Sequence, residues 1–317
     1  MPDWDRINSI LIMTLIALIA LFTSASDADT ISVTHGESIQ AAIDRASPGD
    51  TIEVMSGTYK ESVNVNKRLI LSGIGMPIVD ANKTERAIIL SEDRCTIEGF
   101  KVINSRNCGI SLFSDFNTIA NNTLMDNGNG IYLKKSHSNM IANNDVRADG
   151  WWNSGILLES SEYNVIKRND VSYDGTWGSG ISLVYSNYNN LIGNKASADG
   201  RWECKGIFLK YSNTNSVSGN TVRGSGWEGC SIYLESANDN YVKNNNACCS
   251  NWGIYLSESF NNAIEFNIAK ETKYGVTLSL GRDNTVENNT ASISFIDSNQ
   301  NTVAGNSGSV SYGTTGP

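Results

Sequence analysis

Asn139–Val146, which reads NMIANNDV, is the unit on which the rest of the chain is patterned. Its frame is Asn, any residue, an aliphatic residue, two of any kind, Asn, any residue, and a small or aliphatic residue. The same frame begins at Asn117, Asn139, Asn164, Asn189, Asn215, Asn240, Asn262, Asn284 and Asn301, with a degenerate copy at Cys95. Ahead of each copy stands an apolar pair with one residue between, as in Ile110/Leu112, Ile131/Leu133, Ile156/Leu158, Ile181/Leu183 and Ile207/Leu209. From the first residue of the pair to the next Asn is 8 residues in eight copies (131 to 139, 156 to 164) and 7 in the first two. The return to the next pair varies freely, from 2 residues (Ala291 to Ile293) to 11 (Ala196 to Ile207). A rigid part plus one adjustable loop per repeat is how a solenoid looks in sequence.

Residue spacing selects the kind of solenoid. Apolar residues two apart, with Gly and Asn clustered between them, lack the i, i+3, i+4 stripe of a helix and contain strong helix disfavourers. A propeller blade needs about 40 to 45 residues, whereas 117 to 139 is 22. Short strands with period-2 alternation that cannot bury their own apolar face must stack on their neighbours. The expectation is an all-β chain, a single parallel β-helix of roughly twelve coils, near 55 Å long at about 4.8 Å per strand. Asn122, Asn144, Asn169, Asn194, Asn220, Asn245, Asn267, Asn289 and Asn306 also recur once per rung. They read as a stacked amide column that satisfies turn backbone and takes the left-handed corners, scaffold rather than ligand.

At the N-terminus, Ile10–Phe22 is a mostly aliphatic run followed by small residues, with Arg6 before it. That length suits a secretory signal and is short for a membrane span. Residues 1–28 are therefore expected to be a signal peptide and 29–317 the β-helix, on a secreted, periplasmic or cell-surface protein with no other membrane segment. Ser38–Ala46 (SIQAAIDRA) reads as a short helix capped by Ser38 that covers the first coil. SGSVSYGTTGP after Asn306 shows no comparable cap. The net charge of −9 argues against a nucleic-acid partner, which needs a basic face. A monomer is expected.

Six cysteines fit an exported chain. Cys204 and Cys230, one rung apart, are placed so that a disulfide is possible, but six cysteines allow about 15 pairings. No C-x-x-C pair suggests zinc. Only His35 and His137 are present, and the six methionines are scattered, which gives little support to a soft-ligand copper site. Asn82, Asn121 and Asn288 begin N-x-Thr sequons.

The adjustable loop is where chemistry gathers. Six of the seven tryptophans fall in five consecutive copies of it: Trp151 and Trp152, Trp177, Trp202, Trp227 and Trp252. Stacking is expected to put them on one flank. Beside them, the outward residue of each apolar pair gives Tyr132, Leu157, Ser182, Phe208, Tyr233 and Tyr255, and the next outward position Lys134, Glu159, Val184, Lys210, Glu235 and Ser257. Aromatic rings pack on the apolar face of a sugar while charged groups bond its hydroxyls, so this face is a candidate polysaccharide or cell-surface glycan site. The competing reading is that the indoles only cover the core beneath long loops. Asp149-Gly150, Asp174-Gly175 and Asp199-Gly200, spaced by 25, read first as turns. A Ca²⁺ site, or a carboxylate pair for catalysis, is the alternative for Asp149, Asp174 and Asp199.

Ser38–Gly75 (SIQAAIDRASPGDTIEVMSGTYKESVNVNKRLILSGIG) resembles the opening of pectin-lyase-like right-handed β-helix proteins, including pectin methylesterases. GIYLKKSHSNMIANNDV (Gly130–Val146) and its relatives resemble the CASH-type or NosD-type repeat. That repeat is named for carbohydrate-binding proteins and sugar hydrolases, and for a maturation protein of nitrous oxide reductase. The resemblance covers nearly the whole chain after residue 28 and implies right-handedness. It bears on fold more than on activity: the leading expectation, from the aromatic flank, is glycan binding without catalysis, and the alternatives are a lyase, hydrolase or epimerase on acidic glycans, and a NosD-like accessory of copper-enzyme maturation or a structural surface protein. The chain lacks the Asn-Thr-Asp with Gly-His-Gly of polygalacturonases and the Gly-Tyr-Gly-Phe-Asp-Pro-His-Glu of alginate epimerases.

Overall fold

The computed structural model describes residues 28–313; the signal-peptide expectation falls on residues that, all but Ala28, lie outside that range. The described chain winds into a parallel β-helix of about 11 turns with three sheets of 13, 12 and 9 strands. One rung shows how sequence becomes coil. Ser154–Glu159 carries the apolar pair and belongs to the 12-stranded pair sheet. Val165–Lys167 follows Asn164 in the 13-stranded asparagine sheet, and Asp170–Thr176 follows Asn169 in the 9-stranded loop sheet. The chain then returns to the pair sheet at Ser179–Val184. Every neighbour is parallel, and the register stacks like on like: Ile131 on Ile156, Ile156 on Ile181, Val171 on Ala196.

Inward residues of all three sheets meet in one continuous core, in which Ile156, Leu158, Ile166 and Val171 are fully buried. Each such side chain contributes about 2 kcal/mol of burial. Gly155, before its apolar pair, has no room for a side chain: a Cβ there would lie 2.2 Å from Val171 Cγ1 and 2.8 Å from the Gly180 carbonyl oxygen.

Both asparagine columns flank the asparagine sheet, and their bonding repeats. Asn164 Oδ1 accepts from the backbone N–H of Asn139 (2.8 Å) and from its Nδ2 (3.1 Å). Asn144 Nδ2 donates to Ile119 O and to Asn169 Oδ1, both at 3.0 Å. The amides are therefore scaffold, as read. Their assignment to the left-handed corners needs correction. The left-handed residue is the one before the ladder Asn, such as Tyr163 (φ 59°) before Asn164 and Arg168 (φ 53°) before Asn169. The buried amide holds the corner from inside, so the turn itself falls to an exposed neighbour.

A helix, α1 (Ile39–Arg45), covers the first coil with Ile39, Ala42 and Ile43 buried and Ser38 Oγ accepting from Ala41 N. Two charges that the sequence did not single out complete its ends. The Glu61 carboxylate accepts from Ile39 N (2.8 Å) and Gln40 N (3.1 Å), and Lys67 Nζ donates to the carbonyls of Ile43, Asp44 and Ala46 at 2.7–3.0 Å. Both signs agree with the helix dipole. At the other end, Val310–Gly313 adds one exposed strand on Ile293–Ile296.

Candidate functional site

Four consecutive rungs lengthen their return loops, and in the first three the strand before the loop lengthens with it. Asp145–Trp151, Asp170–Thr176 and Lys195–Gly200 run in register through Asp149, Asp174 and Asp199. The Asp-Gly pairs are thus extended strand, which corrects the turn reading. Only Gly150 is left-handed (φ 97°); on Gly175 a Cβ would meet the Gly150 carbonyl at 2.2 Å. Turning begins later, at Trp152 (φ 62°) and Trp177 (φ 58°). Under the loops lies a small separate core of Ala148, Tyr173, Ala198 and Cys204, where Tyr173 Oη donates to Gly150 O at 2.7 Å.

On this support the indoles stack. Trp152 lies 5.2 Å from Trp177 at 17° between planes, Trp177 is 6.2 Å from Trp202 at 20°, and Trp202 is 5.4 Å from Trp227 at 48°. Trp151 meets Trp177 edge-on at 5.6 Å. Trp177 spends its faces on its neighbours, while Trp152 and Trp227, each 70% exposed, keep a face open at the two ends. Trp252 does not join this ladder. It starts a strand, in register with Cys230 and Tyr274, and stacks on Tyr255 and Tyr274, each at 5.7 Å.

Outward residues of the pair sheet form the floor beside the ladder. Phe208, Tyr233 and Tyr255 stack at 5.3 and 5.1 Å, with Lys205 Nζ 5.3 Å above Phe208. Small Ser182 sits between Leu157 and Phe208 in this column, and the floor dips there. The result is a cleft of about 350 Å³ lined by Trp152, Trp177, Leu157, Ser182, Phe208 and Lys210, among others. A second hollow of about 260 Å³ continues it past Tyr233, Trp252 and Tyr255, and the two share Glu203 and Lys205.

Lysines and glutamates pair in the groove and along the pair sheet beside it, while Glu228 lines the second hollow as a further carboxylate. Lys210 Nζ lies 2.6 Å from Glu235, Lys205 Nζ 3.1 Å from Glu203, and Lys134 Nζ 3.2 Å from Glu159. Tyr132 Oη donates to the other Glu159 oxygen. That bond, aided by Lys134, holds Glu159 below the ordinary carboxylate range, while burial and then Glu159 push the Tyr132 phenol up. The Glu235 partner likewise raises Lys210.

Asp149, Asp174 and Asp199 form an exposed row on the loop sheet, with Arg223 Nε 3.4 Å from Asp199. Among the described residues, no three or more of His, Cys, Asp and Glu converge to hold a metal. All six cysteines are free thiols, Cys204 and Cys230 included; Cys230 is in register with Lys205 rather than Cys204. The sequence reading missed a tyrosine corner at the far edge of the pair sheet, where Tyr163 stacks on Tyr188 and Tyr185 on Tyr211, each at 5.0 Å. Their repeat spacing, 163 to 188 and 185 to 211, was the available signal.

Comparison with known proteins places this geometry. Residues 23–199 match the family described as Periplasmic copper-binding protein (NosD), and residues 149–291 match the Right handed beta helix region. Over 123 residues the chain is 33% identical to a cell surface glycoprotein of Methanothermus fervidus, a match covering 37% of this chain and 21% of that protein. The chain thus spans about a fifth of the length of that relative. Among solved structures, DFA-IIIase from Arthrobacter chlorophenolicus A6 without its lid superposes with a TM-score of 0.65 at 16% identity, covering 84% of this chain and 86% of that one. The A-module of the mannuronan C-5 epimerase AlgE6 from Azotobacter vinelandii gives 0.56 at 14% (88% and 94%), and the Dettilon tailspike protein gp208 0.60 at 14% (86% and 63%). At these identities the likeness is one of fold. Copper is held by convergent imidazole, thiolate or thioether donors. His137 Nδ1 is taken up by the Glu162 N–H, and Cys248 and Cys249 belong to no group of three or more potential ligands. Among the described residues, the His, Cys, Asp and Glu side chains thus form no group of three or more that fits a copper centre.

Proposed function

The chain belongs to the NosD family of β-helix proteins, and from that premise we propose that it acts outside the cytoplasm as a binder of neutral polysaccharide or cell-surface glycan. The observation that carries this reading is the groove on the pair sheet. It has the size of a small-ligand pocket, an aromatic wall at Trp152 and Trp177, and a floor of Leu157, Ser182 and Phe208. Its two Lys–Glu pairs and Glu228 offer hydroxyl-binding donors and acceptors with no excess of positive charge, which suits an uncharged sugar better than a uronate. Trp227, Trp252, Tyr233 and Tyr255 extend the same track, with Glu159 and Glu235 as polar edges. Export agrees with the aliphatic run at Ile10–Phe22 and with a relative that is a cell surface glycoprotein.

Retention on insoluble polysaccharides, together with a glycan array, tests the proposal. Trp152→Ala/Trp177→Ala removes one wall and is expected to weaken binding about tenfold or more, the loss of one aromatic hot spot. A double variant that binds like wild type overturns it. An enzyme on acidic glycans is the second reading, favoured by fold neighbours that include a mannuronan epimerase. Release of unsaturated product or new reducing ends from uronic-acid polymers, lost in Asp174→Asn, would establish it instead.

A further inference from the structure

Four of the six cysteines, Cys95, Cys108, Cys204 and Cys230, are buried. Burial pushes the Cys108 thiol up to about 11 and Cys230 to about 12, which makes them inert. The remaining two are consecutive and reach the surface, Cys249 fully and Cys248 in part. Their sulfurs are 3.0 Å apart, and Cys249 Sγ lies 3.5 Å from Glu271 Oε2. The pair follows Asn246–Ala247, the two-residue strand that ends the loop sheet. Cys248 N still donates to Val222 O at 3.1 Å, and Cys249 has turned left-handed (φ 62°).

Around the thiols, the loop ties two aromatic tracks together. Ser231 Oγ donates to Cys248 O (3.0 Å), Ser250 Oγ donates to Trp252 O (2.7 Å), and the two hydroxyl oxygens lie 2.8 Å apart. Asn251 Nδ2 donates to the carbonyls of Gly226 and Trp227. The last indole of the ladder and the first ring of the Trp252–Tyr274 stack thus hang on the segment that holds the thiols.

We propose that Cys248 and Cys249 are a redox modification site, closing to a vicinal disulfide that fixes this loop. The oxidant is an external disulfide, such as glutathione disulfide or a thiol–disulfide oxidoreductase. Cys249 gives up its proton and attacks one sulfur of that disulfide, forming a mixed disulfide and releasing one thiolate. Cys248, deprotonated in turn, attacks Cys249 Sγ and expels the second thiolate. Two thiols thereby lose two protons and two electrons, and one disulfide becomes two thiols. Glu271 is a brake on the first step. Hydrogen bonding with Cys248, the desolvation of its site and the Glu271 carboxylate hold the Cys249 thiol up to about 11, so little thiolate is present near neutrality.

The test uses the folded full chain, incubated with glutathione disulfide at a series of pH values, quenched in acid, unfolded and alkylated. Mass spectrometry is expected to find the four buried cysteines labelled, and Cys248 and Cys249 unlabelled on one peptide until a reductant is added. Closure is expected to speed up roughly tenfold per pH unit below the Cys249 pKa, and by about twofold in Glu271→Gln at fixed pH. Cys248→Ser, lacking the resolving thiol, is expected to accumulate a glutathione adduct at Cys249. Labelling of all six cysteines after oxidation overturns the proposal. So does a wild-type chain that stops at the glutathione adduct. An unchanged rate in Glu271→Gln removes the brake.

Discussion

Replacing Asn164 with Ala is the sharpest probe of what holds the coil. Asn164 is fully buried, and its Oδ1 is the acceptor for Asn139 N–H at 2.8 Å. Its Nδ2 donates to Ser136 O and Glu162 O, each at 3.0 Å. Glu162 O keeps a second donor, Ser138 N, so two groups are left bare: Asn139 N–H and Ser136 O. At about 1–3 kcal/mol for each buried orphan, Asn164→Ala costs about 4 kcal/mol. Asn164→Asp separates the donor from the acceptor role. It keeps the acceptor for Asn139, but its second oxygen faces Ser136 O, Glu162 O and Asn189 Oδ1 (3.1 Å). Such a carboxyl is driven neutral, so its folded pKa rises above the unfolded value of about 3.9. The penalty is therefore absent below about pH 4 and grows as pH climbs toward the folded pKa. Denaturant midpoints at pH 4 and pH 7 read this difference, and amide exchange locates it, since a solenoid broken in one rung opens there first. An Asn164→Ala chain within about 0.5 kcal/mol of wild type, or an Asp variant insensitive to pH, refutes the ladder as the source of stability.

Other outcomes follow from single contacts. Tyr132→Phe removes the phenol that keeps Glu159 ionised. A bond to a charged group discounted for a partly exposed carboxylate gives about 1 kcal/mol lost at pH 7. Because the folded pKa of Glu159 lies below its ordinary 4.5, that stability is present above pH 4.5 and fades as pH falls; a pH titration of the melting midpoint should show a shallower acid limb in the variant. Gly155→Ala drives a Cβ to 2.2 Å from Val171 Cγ1 and is expected to cost about 1–3 kcal/mol by overpacking, read from the same denaturation curves; no loss would mean that the two sheets are not in contact there.

The coil was legible because stacking forces like residues onto like. Ile131, Ile156 and Ile181 repeat in sequence for the reason that they touch in space, and buried amides such as Asn144 and Asn169 bond only to their own kind one rung away. Loops obey no such rule. Trp252 sits two residues before its apolar pair, at Ile254, whereas Trp152 and Trp177 sit four before theirs and Trp202 and Trp227 five. That offset already separates Trp252 from the ladder, but only once the loop's return path is known. Asp149-Gly150 looked like a turn because the Asp-Gly pair is most often one; the extended pairing with Asp174-Gly175 overrode that preference. Glu61 and Lys67 escaped notice for another reason. Their partners at the ends of α1 are backbone groups more than twenty residues away, which leave no trace in composition.

The same division of labour weighs on the chemistry open to the groove. A glycosidase pair needs one carboxyl held protonated, in a site that raises its pKa, beside a second that stays ionised. Glu159 is pushed the other way, by Tyr132 and Lys134. Glu203 and Glu235 are each taken up by a lysine within 3.1 Å. Asp149, Asp174 and Asp199 are exposed on a different sheet from the aromatic floor. On the proposed reading, the charges serve to present hydrogen-bonding groups at fixed heights along the coil. Neutralising one pair as a unit, in Lys210→Met/Glu235→Gln, should then weaken glycan retention while leaving the rod intact. A groove that kept its affinity after that change would place the recognition on the aromatic rings alone.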